Sequence, residues 1–189
     1  MTTLHLEINR KNQWQSIRDS FLLLLGFSLF LIYQYIWGDT KDYSVLVLIF
    51  GLFFLLWIIP VIYFHVTYYI SNRGLSIDVN YDTKTFTITK NGITKNYSFS
   101  DITHSEKNLN LYYKKLVDNV YRRASPWCGY HYIKFRLKDG TQIFLTSLMT
   151  DILNCNYECV ETHYTLFPFL RQKDWQTIDY SDWKDINKN

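Results

Sequence analysis

Residues 21–37, FLLLLGFSLFLIYQYIW, and residues 45–66, VLVLIFGLFFLLWIIPVIYFHV, are two apolar runs with no Asp, Glu, Lys or Arg in either. Only a short polar break, begun by Gly38-Asp39-Thr40-Lys41-Asp42, separates them. At about 1.5 Å per helical residue the second run spans roughly 33 Å, enough for the hydrocarbon core of a bilayer. The first spans about 25 Å, or about 32 Å if its helix starts at Ile17. Together they read as a transmembrane helical hairpin spanning residues 17–69, preceded by a polar segment, 1–16.

The flanks set the expected orientation. Arg10, Lys11 and Arg18 precede the first run, Arg73 and Lys84 follow the second, and the connecting loop holds only Lys41. The positive-inside rule then places both termini in the cytoplasm. Tyr33, Tyr35, Trp37 and Tyr43 form an aromatic belt on the outer side, and Tyr63, His65, Tyr68 and Tyr69 mark the inner one. Pro60 should kink the second helix. Gly26, Ser28 and Gly51 are small enough to let helices approach, either within the hairpin or between copies of the chain, so a homo-oligomer is possible. The absence of a charged group within the runs argues against a pump, channel or transporter.

Beyond Asn72 the hydrophobic period becomes two. Leu75, Ile77 and Val79 alternate with Ser76 and Asp78, and Phe86 and Ile88 with threonines; Asn91-Gly92 then turns the chain into Ile93, Lys95, Tyr97 and Phe99. An Asn-Gly pair between alternating residues signals a tight hairpin, because both central residues need positive φ. This predicts a three-strand meander over 74–99. A short strand is expected around Leu109–Tyr113, then a loop over 114–128. Ile133, Phe135 and Leu137, Asp139-Gly140, and Gln142–Leu148 make a second hairpin. Asp151–Phe169 is expected to be helical and Arg171–Asn189 a polar tail. The sheet-rich domain is thus bounded at 70–170.

The average mean hydropathy of −0.14 blends this polar part with the apolar hairpin. Residues 1–66 carry four Lys/Arg and four Asp/Glu, so the rest holds the whole net charge of +3. That is too small a charge to argue for nucleic acid. The three cysteines fit no disulfide framework and suit a reducing compartment.

The segments Tyr97-Ser98-Phe99-Ser100-Asp101-Ile102 and Leu137-Lys138-Asp139-Gly140-Thr141-Gln142-Ile143-Phe144-Leu145-Thr146-Ser147-Leu148 follow a membrane hairpin at matching places. Over about residues 15–170 the chain resembles bacterial pleckstrin-homology-like membrane proteins, the YcxB-like and bPH type. The resemblance implies an α+β membrane protein: a two-helix transmembrane hairpin, then a PH-like, partly open antiparallel β-barrel closed by a C-terminal helix. Asp101-Ile102 would mark the corner after the third strand. It implies a multi-pass protein of the bacterial inner membrane that binds a protein partner or anionic lipid and performs no catalysis. The resemblance transfers no catalytic residue and no cofactor. Phosphoinositide binding is not implied, because the first hairpin turn, Tyr81-Asp82-Thr83-Lys84, lacks the basic cluster such binding uses.

Three constellations carry candidate chemistry. Lys134, Arg136 and Lys138, with Arg122 and Arg123 in the preceding loop, are a candidate basic patch for the inner leaflet or an acidic partner; the plain alternative is a solvated sheet face. Trp127, Tyr130 and Tyr132 are candidate groove aromatics, which would otherwise fill the barrel mouth. Cys155, Cys159 and His163, spaced by four, would share one helix face, either as a soft-metal site completed by Cys128 or His131 or as a buried small-apolar stripe. No nucleophile, P-loop or zinc-protease motif is present.

Overall fold

In a computed structural model, which describes residues 3–38, 44–154 and 161–170, two four-stranded sheets pack face to face below a pair of long helices. The chain opens on a strand, β1 (Thr3–Glu7), where a polar segment is expected. Asn9 then caps α1 (Arg10–Trp37), its side chain accepting from the Asn12 N–H at 2.8 Å. The second rod runs unbroken from Ser44 to Asn72 as α2 (Ser44–Phe53), a π-helical turn (Phe54–Ile58) and α3 (Ile59–Asn72). Pro60 explains the π-turn. A proline has no N–H for the carbonyl one turn back, and the ladder shifts so that Ile59 N–H bonds the Phe54 carbonyl instead.

The two rods meet through aromatic rings rather than small residues. Phe27 stacks on Phe50 at 5.6 Å and on Phe53 at 5.0 Å. Gly26 and Gly51 face open space, so the expected glycine contact within the hairpin is not made.

β2 (Leu75–Asn80), β3 (Thr85–Lys90) and β4 (Ile93–Ser98) form the expected meander. Asn91 and Gly92 turn it with φ of 51° and 84°. β1 adds to its edge antiparallel to β2, with Leu4 beside Val79 and Leu6 beside Ile77. The helical hairpin is therefore inserted between two neighbouring strands of one sheet.

A 3₁₀ turn at Phe99–Asp101, closed by a reciprocal Ser98–Asp101 capping box, makes the corner to the second sheet. There β5 (Ile102–Asn110) is longer than expected, and Leu111 and Tyr113 lie in a following 3₁₀ turn. A short helix, α4 (Lys115–Asp118), and a loop lead to β6 (Tyr132–Leu137) and β7 (Gln142–Thr146). Among the described residues the C-terminal helix expected over Asp151–Phe169 is not what forms. Ile152–Asn154 is a single 3₁₀ turn, and Glu161–Thr165 is a strand, β8, parallel to β5. Its Glu161-Thr162-His163-Tyr164-Thr165 is rich in β-favouring Thr and Tyr. Pairing with β5 outweighs the helical spacing read from the sequence. The second sheet is thus mixed, ordered β7-β6-β5-β8, and no closed barrel forms among the described residues.

The core lies between the sheets. Ile88, Ile133, Leu137 and Leu145 are nearly fully buried there, with Leu6, Ile77 and Phe86 from the first sheet facing Phe135 and Ile143 from the second.

Candidate functional site

The outer face of the second sheet is not left to solvent. Strand alternation puts Tyr132, Phe144 and Thr146 opposite the inter-sheet core, and the last turns of α3 cover them. Asn72, the final residue of α3, donates to the Phe144 carbonyl at 2.6 Å and accepts from the Thr146 hydroxyl. Lys90 reaches the Ser71 carbonyl at 3.1 Å, a cation at the negative end of α3. Higher on α3, Tyr68 donates to the Pro168 carbonyl at 2.8 Å, and Phe64 stacks on Tyr130 and Phe169.

The candidate aromatics Trp127, Tyr130 and Tyr132 belong to this joint. They are buried beneath α3 and do not line an open groove. Trp127 donates its Nε1–H to the Leu166 carbonyl at 2.8 Å and stacks on Phe167 at 5.0 Å. Burial pushes the Tyr130 hydroxyl above the ordinary tyrosine range. The 125–130 turn also leans on α1: Ser20 donates to the Pro126 carbonyl at 3.1 Å, and a Cβ at Gly129 would stand 3.6 Å from Ser16 Cα.

The five candidate basic residues lie on two stretches of the chain, β6 with its following turn and the β5–β6 connection. Lys134 and Arg136 share the outer face of β6, but successive positions from Tyr132 to Arg136 run away from the α3 joint. Lys134 lies 5.8 Å over the Phe144 ring, and Lys138, beyond the strand, is 3.4 Å from Asp101. Arg122 and Arg123 sit instead in the 111–126 segment next to α1. Arg122 grips Asp118 through two hydrogen bonds of 2.7 and 2.5 Å, which hold the Asp118 carboxyl down at about 2.

A niche of about 260 Å³ missed by sequence reading opens between the first turns of α1 and the second sheet. Arg18, Gln15, Tyr113, His131, Ser147 and Asp151 line it. His131 is 4 % exposed, and burial pushes its pKa down to about 4, so the ring is neutral at neutral pH. Its Nδ1 and the Ser147 Oγ are buried without a hydrogen-bond partner among the described residues. Cys128, half-buried nearby, has its thiol pushed up by burial, the opposite of an activated nucleophile. Among the described residues no hydrogen bond in the niche pairs a nucleophile with a base. The signal that could have found it is the polar spacing of Asn12, Gln15 and Ser16 on α1, which the sequence reading absorbed into a membrane approach.

A second cavity, about 50 Å³, lies at the open end between the sheets and is walled by Leu4, Val79, Tyr81, Phe99 and Ile102 among others. It is well below the roughly 300 Å³ of the smallest typical ligand pockets. For the proposed soft-metal set, Cys155 and Cys159 lie outside the described residues. His163 stands on β8 with its Nε2 3.1 Å from Glu161. Among the described residues no three His, Cys, Asp or Glu side chains converge on a metal position.

Two packed sheets are carried on paired apolar helices through a buried polar joint. A family model described as PH domain matches residues 6–155, and the chain belongs to that family. Domains of this family are generally non-catalytic binding modules. Comparison with curated proteins and with solved structures finds no match. Both rods of the hairpin, 28 and 29 residues long, are long and apolar enough to cross a membrane.

Proposed function

We propose that this protein is a membrane-tethered, non-catalytic PH-domain module that presents its two sheets at the inner face of a bacterial cytoplasmic membrane to bind a protein partner. The observation that carries the reading is the Asn72 joint, where the end of an apolar rod is built into the sheet domain. Rod lengths support it. At about 1.5 Å per residue each rod measures roughly 43 Å against a hydrocarbon core of about 30 Å. The surplus, about eight residues per rod, matches the stretches below Ile17 and beyond Phe64 that face the domain. The strands that flank the hairpin pair with each other, which supports a shared side for its two ends, and the basic residues at positions 10, 11 and 18 favour the cytoplasm.

The surface best shaped for a partner is β4, an edge of the first sheet among the described residues, with Thr94 and Asn96 exposed. A photo-crosslinker at Thr94 or Asn96, activated in native membranes, tests the proposal. A discrete protein adduct is the expected result. A second reading, an accessory subunit of a membrane transport or enzyme complex, is favoured by the open space at Gly26 and Gly51. It predicts adducts from those positions and none from β4. Reaction of Lys134 with an impermeant external reagent, with Lys41 protected, would overturn the orientation.

A further inference from the structure

Between β5 and β6, residues 116–121 hold four apolar side chains outward. Leu116 is 75 % exposed, Val117 71 %, Val120 54 % and Tyr121 83 %. Such exposure within a few residues is unusual for a soluble surface. The segment is also a built structure. Asn110 caps the 3₁₀ turn by accepting from Tyr112 N–H, Asn119 ends α4 in the left-handed conformation, and Asp118 is bound by Arg122 and by the Val120 N–H. The fold therefore holds these apolar groups outward rather than letting them collapse on the domain.

Charge and position name the occupant. Residues 114–123 contain Lys114, Lys115, Arg122 and Arg123 against Asp118 alone, a net charge of 4 − 1 = +3. Both ends of the segment lean on the first turns of α1. Tyr113 shares the polar niche with Asn12 and Ser16, and the Pro126 carbonyl accepts from Ser20, the residue just before the apolar run at Phe21. From Tyr121 to Pro126 the chain reaches at most about 17 Å. The finger thus stands beside the point where α1 becomes wholly apolar.

We propose that the 114–123 finger is a third membrane contact. Leu116, Val117, Val120 and Tyr121 enter the interfacial zone of the inner leaflet while Lys114, Lys115 and Arg123 meet anionic headgroups. The inference rests on the tethered reading above. With the two helices it makes a tripod that fixes the tilt of the sheet domain, which two rods joined at one edge would leave free to rock.

The full chain, with Cys128, Cys155 and Cys159 replaced by Ser, is reconstituted into vesicles of phosphatidylcholine with a minority of phosphatidylglycerol. A fluorophore is attached at Val117→Cys, Tyr121→Cys, Leu29→Cys or Thr83→Cys. Lipids brominated high on the acyl chain should quench the 117 and 121 labels several-fold more than the 83 label. Lys114→Glu with Lys115→Glu, or vesicles of phosphatidylcholine alone, should reduce that quenching. If the 29 label is quenched while 117 and 121 remain as open to aqueous iodide as 83, the finger proposal fails and the tether stands. If the 29 label is also aqueous, the tether itself fails. Labels shielded from iodide but untouched by brominated lipid would mean that a second copy or the chain's own C-terminal residues cover the finger, which also overturns the proposal.

Discussion

The Thr146 hydroxyl donates a hydrogen bond to the Asn72 side-chain oxygen, and both residues are fully buried. With the Asn72 amide on the Phe144 carbonyl, one side chain satisfies two groups of β7 from the end of a helix. Asn72→Ala would leave a buried hydroxyl and a buried carbonyl unpaired. The expected loss is about 3 kcal/mol, since each orphaned group costs roughly 1–3 kcal/mol. Denaturant unfolding in detergent micelles measures it. A cycle with Thr146→Val should reveal coupling of at least about 0.5 kcal/mol, and independence of the two sites would refute the joint.

Gly74 joins α3 to β2 at φ +70°, and a Cβ there would lie 2.6 Å from Asn91 Oδ1. Gly92 has φ +84° with open space around it. Both changes to Ala incur a left-handed backbone penalty of about 1–2 kcal/mol, and only Gly74→Ala adds a clash. Gly74→Ala should therefore lower the unfolding midpoint more than Gly92→Ala does. In an Asn91→Gly background the two should become equal.

Burial lowers the folded-state pKa of His131 to about 4 from an ordinary 6.5. The unfolded chain then binds more protons between these values, so stability is complete above pH 6.5 and drains away as pH falls through 4. At 1.36 kcal/mol per unit the loss approaches about 3 kcal/mol. The Asp78 carboxylate, through a hydrogen bond to the ring, raises His5 instead, so its contribution is present below pH 6.5 and is lost as pH rises through its folded value. Stability curves from pH 4 to 7 should flatten in His131→Phe and keep their slope in His5→Gln. An unchanged slope in His131→Phe would show the ring to be solvated.

Tyr68 and Trp127 hold the 166–168 stretch by donating to the Pro168 and Leu166 carbonyls. Tyr68→Phe keeps the ring and removes only the donor, for an expected cost of about 1 kcal/mol. The loosening should appear as faster amide exchange in the neighbouring β8, with β3 unaffected. Equal protection in both strands would assign the bond no structural role.

What could be read from the residues alone follows the length of the pattern. The meander was legible because Asn91-Gly92 sits between two alternating runs that agree with it. The apolar rods were legible because they run unbroken. β1 was not, since five residues with only Leu4 and Leu6 alternating are too short to stand out from a polar leader. β8 was masked by accident of spacing: Cys155, Cys159 and His163 recur every four residues, while its true constraint is a parallel partner more than fifty residues earlier in the chain. Trp127, Tyr130 and Tyr132 were picked out as aromatics of interest. Their burial depends on a helix whose docking through Asn72 and Tyr68 no local signal announces.

The pairing of Thr3–Glu7 with Ser76–Asn80 has a consequence for biosynthesis. The first strand leaves the ribosome about 70 residues ahead of its mate, and both rods must be made before the two can meet. If the rods span a bilayer as proposed, insertion into lipid comes before completion of the leading sheet, with the hairpin as the clasp that brings distant parts of the nascent chain together. A truncated gene product beginning near residue 70 would emerge with that sheet one strand short and Ile77 stripped of its neighbour Leu6. Such a product is expected to aggregate more readily on release than the intact chain.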